Sequence, residues 1–114
     1  MNNMAKTLRR EDQRAFDTWF NRWIKNTRLE QSLIEAARKG YKSLIVYDRK
    51  NDMDVYQKRR FEDSRFVKRL QSELPDLHVE LRQYLDKNAF GFSFNAYKVA
   101  VSWDCLLYTS DAAD

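Results

Sequence analysis

Six cations, Lys58, Arg59, Arg60, Arg65, Lys68 and Arg69, crowd into twelve residues, with Tyr56, Phe61 and Phe66 set among them. The chemistry open to such a run is phosphate binding, with basic groups on the backbone and a free ring stacking on a base. If one helix begins near residue 54, Lys58, Arg65 and Arg69 share a stripe at offsets of seven and four. Glu62, Asp63 and Glu73 weaken that field, and Arg69 with Glu73 makes an ordinary i,i+4 pair. Phe66 belongs to the apolar side of the same helix. The plainer account of the run is a solvated helix face.

Other reactive types are sparse. Arg9, Arg10 and Arg14 open the first helix, with Arg22, Lys25 and Arg28 further on, where cations oppose the helix dipole and Glu11 and Asp12 offset them. Asp48, Asp52 and Asp54 gather after the first strand, but Arg49 and Lys50 interrupt them and no glycine makes a calcium-loop turn, so a solvated loop is expected. The lone His78 has no nucleophile near it in sequence and reads as an exposed or edge-strand residue. Gly40 and Gly91 form no phosphate loop. No residue is therefore assigned to catalysis, to a metal or to a cofactor, and no small-molecule substrate is indicated.

Two aromatic groups suggest contact with a protein instead. Phe16, Trp19, Phe20 and Trp23 form one stripe, with Trp19 and Phe20 on different edges of it. Most of such a stripe belongs in a core, yet one edge could meet a second copy or another protein. Phe90, Phe92 and Phe94 surround the turn "DKNAFGF" in the same way.

These groups are positioned by a chain that reads as helix, strand, helix, strand, strand. Residues 7–39 carry helical periodicity, with a break expected near Asn26 because Thr27-Arg28-Leu29-Glu30 has the form of a capping box. Gly40 suits a left-handed cap. "YKSLIVYD" (41–48) is a strand whose continuous apolar centre predicts burial on both faces. A second helical region runs from about 54 to 74, clearest after Ser64, and Pro75 stops it. Leu77, Val79 and Leu81 alternate with His78, Glu80 and Arg82, and Tyr97, Val99, Val101 and Trp103 alternate in a third strand. Strand–helix–strand favours a parallel crossover and the last two strands favour a hairpin. The expected fold class is α+β: an N-terminal helix or helix pair, then a small three-stranded mixed sheet with helices on one side.

Composition sets the remaining bounds. The 114 residues are 43% hydrophobic and 14% aromatic, enough for one modest core, and a single domain over residues 1–104 is expected. The longest apolar run, "SLIVY", is far too short to span a membrane, and "MNNMAKTLRREDQ" lacks a secretory signal's apolar stretch, so a cytoplasmic protein is expected. One cysteine and one histidine exclude a disulfide framework and the usual zinc sites.

The last ten residues, "CLLYTSDAAD", continue neither the alternation nor the composition before them. They resemble, letter for letter, the translation of a transposase-type sequencing-library adapter. The resemblance implies that 105–114, with Cys105, are not native, that the native chain continues differently after Asp104, and that the net charge of +4 becomes +6 once Asp111 and Asp114 are removed. A charge of that sign favours nucleic acid or acidic partners.

The plan of residues 10–103 resembles short uncharacterised proteins of bacteriophages and prophages of Gram-positive bacteria. The features are the aromatic first helix, "IEAARKGYKSLIV" passing through glycine into a strand, and the closing "YKVAVSW". The resemblance implies a phage accessory protein in the host cytoplasm and transfers no functional residue. Two partners are expected on these grounds: nucleic acid at 58–69, or self or another protein at Trp19, Phe20, Phe90 and Phe92.

Overall fold

A computed structural model describes residues 3–48 and 55–103. Its elements are α1 (Met4–Asn26), α2 (Leu29–Arg38), β1 (Ser43–Asp48), α3 (Val55–Phe61), α4 (Ser64–Glu73), β2 (His78–Lys87) and β3 (Ser93–Ser102). Two compact units divide between Ser32 and Leu33. The fold is α+β, with helices leading into a three-stranded sheet. Asp52, Asp54, Asp104 and the 105–114 string lie outside the described residues.

In the first unit, Phe16, Trp19, Phe20 and Trp23 follow one another along α1 with ring centroids about 6 Å apart, between 5.9 and 6.2 Å. The helix ends where expected, but the cap is shifted. Thr27 still donates its N–H to Trp23 O and so closes α1, while the Arg28 carbonyl accepts the first bond of α2 from Ser32. Arg28 makes the turn at φ 53°, a left-handed conformation that side chains with a Cβ rarely adopt. The N-cap position therefore falls on Arg28, one residue after the expected Thr27. At the other end of α2, Gly40 (φ 92°) allows paired bonds from Gly40 N–H to Ala37 O and Tyr41 N–H to Ala36 O, the Schellman arrangement.

In the second unit the strand order is β1-β3-β2, and β3 is antiparallel to both neighbours. The mixed sheet expected from sequence is thus purely antiparallel. β1 and β2 do run in the same direction, but the hairpin partner β3 sits between them. This places β1 at an edge and corrects its expected burial on both faces: Tyr47 is fully buried, whereas Ile45 is exposed. The buried run is β3, with Ala96, Val99, Ala100, Val101 and Ser102. Val46 is an extra residue in β1, since Ile45 pairs with Ala100 and Tyr47 with Val99.

The register puts Leu44, Tyr47, Val79, Val99 and Val101 on one face. Aromatic contacts tie α3 and α4 to it: Tyr47 stacks on Phe61 at 4.9 Å, and Phe61 meets the edge of Phe66 at 5.0 Å. The Tyr47 hydroxyl also donates to Glu62 Oε2. Each aromatic pair contributes about 1 kcal/mol beyond its buried area.

Gln71 joins α4 to β2. Its Nε2 donates to Leu74 O at 3.0 Å and to Leu77 O at 2.7 Å, and its Oε1 accepts from Val79 N–H at 3.1 Å. One amide therefore satisfies three backbone groups around the Pro75 turn. Gln71→Ala is expected to lower stability by about 2 kcal/mol, the cost of part-buried groups left without partners. Urea unfolding monitored by tryptophan fluorescence checks this.

Candidate functional site

The basic run at 58–69 is not one helix. Glu62 and Asp63 interrupt it, and Asp63, in an extended conformation, caps α4 by accepting from Arg65 N–H at 2.9 Å. The same carboxylate takes the Arg65 guanidinium in a bidentate pair, with Nη2 at 2.6 Å from Oδ2 and Nε at 3.1 Å from Oδ1. The expected stripe of Lys58, Arg65 and Arg69 is corrected accordingly, because Lys58 lies on α3 and the others on α4. Arg60 lies over the Tyr56 ring at 5.0 Å and donates to its hydroxyl at 3.1 Å. Phe61 and Phe66 are both buried, so neither offers a ring to a base. Arg59 and Lys68 are exposed and Lys58 is half-buried. These three carry no ion pair among the described residues.

The aromatic groups separate sharply. Phe20 is fully buried and Trp19 is 9% exposed. In the 90–94 turn, Phe90 is 85% and Phe92 70% exposed. These rings stand at the tip of a long hairpin. β2 and β3 pair through ten positions, from His78–Ser102 to Lys87–Ser93, and the described residues of β1 pair with Lys98 to Ser102.

Asn88 fixes the tip. Its Oδ1 accepts from Phe90 N–H at 2.9 Å and Phe92 N–H at 3.1 Å, and its own N–H donates to Phe92 O. Gly91, at φ 85°, donates to Asn88 O and takes the one left-handed position in the loop. The loop thus holds its backbone by local bonds and turns both phenyl rings outward. Sequence reasoning located the aromatics but missed Asn88, whose signal is an Asn three residues before a Gly.

The remaining groups resolve simply. Asp48 accepts from the Tyr84 hydroxyl across β3, and Lys98 lies over the Tyr84 ring at 5.4 Å. Of the acidic loop group, Asp48 is thus engaged on the sheet. Among the described residues no cluster of His, Cys, Asp and Glu is arranged to hold a metal. His78 is exposed on edge strand β2, opposite in facing to Val79, as expected. It lies 3.9 Å from Glu80, which Arg82 also binds at 2.6 Å. In the second basic group Arg14 pairs with Glu11 at 3.3 Å in solvent, an arrangement of small energetic weight. No described helix is long and apolar enough to cross a membrane.

No protein-family model, curated protein or solved structure matches the chain.

The Arg65 hydrogen bond, then the Arg65 backbone bond and nearby positive charge, outweigh burial and hold the Asp63 carboxyl below the usual carboxylate range. Its stabilising effect is therefore complete above the ordinary value of about 3.9 and is lost as pH falls through the lowered one. Asp63→Ala is expected to cost about 1 kcal/mol at neutral pH, as for loss of an N-cap. The difference from the unsubstituted chain should vanish in strong acid, which urea titrations across acidic pH would show.

Proposed function

We propose that the protein is a non-catalytic binding protein of the phage accessory kind and that its contact element is the tip of the β2–β3 hairpin. The observation that carries this reading is the outward presentation of Phe90 and Phe92 on a loop already fixed by Asn88. Exposed rings of this size are favourable only when a partner covers them, and a fixed loop loses little entropy on binding. The partner is a protein with an apolar pocket for one or both rings. The resemblance to phage proteins in the first helix and the closing strand supports the accessory role, exercised in the host cytoplasm.

Replacing both phenylalanines with serine tests the reading. The variant should unfold within about 0.5 kcal/mol of the parent, because neither ring is in the core. Affinity capture from the host should then retain partners on the parent chain that the variant loses. The same retained set on both chains would contradict the proposal.

A second reading, nucleic-acid binding, is supported by Lys58, Arg59 and Lys68, the three cations of the basic run without a local acid. With three phosphate contacts, the slope of log affinity against log salt should be roughly −2 to −3. Fluorescence anisotropy with duplex and single-stranded oligonucleotides measures it, and alanine at all three positions should abolish binding. Binding that persists in that variant, or none in the parent, would reject this reading.

A further inference from the structure

Every residue of α1 from Met4 to Ala15 is exposed, whichever side of the helix it occupies, and burial begins only at Phe16. This segment is about three turns, roughly 18 Å of helix. Its side chains are sorted by charge. At about 100° per residue, Lys6, Arg10 and Arg14 follow one another at steps of about 40°, and Arg9 lies about 60° to the other side of Lys6. The four cations thus occupy a sector of about 140°, and Glu11 and Asp12 each lie about 60° outside one of its borders.

The sector is electrostatically unfavourable in the isolated chain. Lys6, Arg9 and Arg10 have no ion pair among the described residues, and Arg14 pairs with Glu11 in solvent at the border. The first turn holds no acid, so Lys6 stands where the helix dipole disfavours positive charge. A polyanion relieves both that placement and the mutual repulsion of the cations. We infer that segment 4–15 of α1 seats in the major groove of B-form duplex DNA, with Arg9 and Arg14 on the phosphates of opposite strands and Lys6 and Arg10 between them.

Three features select that partner. A helix exposed on all sides, about 10–12 Å across, enters a groove about 12 Å wide. The cations point to two sides at once, so two groove walls engage both borders of the sector where a flat surface engages one. Between the borders there is no aromatic or aliphatic side chain, the kind of anchor on which a protein interface depends. Duplex RNA is a poorer match, because its major groove is deep and narrow. Asp17 stands in the same sector one turn further on and accepts from Gln13 at 3.0 Å, so the contact ends before it. The site uses neither the Phe90/Phe92 tip nor the cations at 58–68.

Anisotropy of a short fluorescein-labelled DNA duplex tests the inference. The parent chain should bind, and alanine at Lys6, Arg9, Arg10 and Arg14 together should weaken binding at least about tenfold and flatten the slope of log affinity against log salt by roughly two to four. Circular dichroism should show that variant as helical as the parent, since alanine is the best helix former. Leu8→Pro keeps every charge, replaces a side chain 60% exposed and breaks the helical segment, and should weaken binding about tenfold as well. Unlabelled duplex RNA and polyglutamate should each compete at least about tenfold less well than the DNA duplex. No binding by the parent, undiminished binding in either variant, or equal competition by RNA or polyglutamate would overturn the inference. Binding lost only with alanine at Lys58, Arg59 and Lys68 would overturn it too and leave the second reading above standing.

Discussion

The second unit depends on one constraint: β3 lies between β1 and β2 and pairs antiparallel with both. β2 follows it through all ten positions, and the described residues of β1 pair with residues 98–102. Over residues 98–102 the strand is bonded on both sides and largely buried. Over residues 93–97 it has one described neighbour. A hairpin joined by five loop residues forms at small entropic cost, which explains why β3 enters between two strands that run in the same direction.

The helical side of the second unit is organised by short-range chemistry. Tyr47, Phe61 and Phe66 form a continuous contact from sheet to α4. Asp63 divides the basic run into two helices while neutralising Arg65. Gln71 then holds the start of β2 against the end of α4. A run that looks electropositive in sequence is therefore largely an architectural junction. The cations it leaves over are Lys58, Arg59 and Lys68.

How much of this was legible follows from the range of the interactions. The break after Asn26, the Gly40 cap and the β2–β3 hairpin depend on neighbours in sequence, and each could be read there. The Arg28 conformation could not, because a left-handed arginine breaks the local preference that the capping-box pattern assumes. The burial of β1 on both faces was misread because "SLIVY" has the composition of a central strand, whereas pairing is decided by which partner arrives at least entropic cost. At the candidate site, the turn rich in rings drew attention to Phe90 and Phe92, and the stripe of Phe16, Trp19, Phe20 and Trp23 was read chiefly as core with one edge left for a partner.

Hydrogen exchange along β3 at high dilution examines the central constraint most directly. In a single copy, the amides of residues 98–102 should all be slow, because both sides are bonded. Over 93–97, Phe94 and Ala96 should also be slow, because their N–H groups face β2. Fast exchange at both would show that the hairpin arm does not form and would contradict the account.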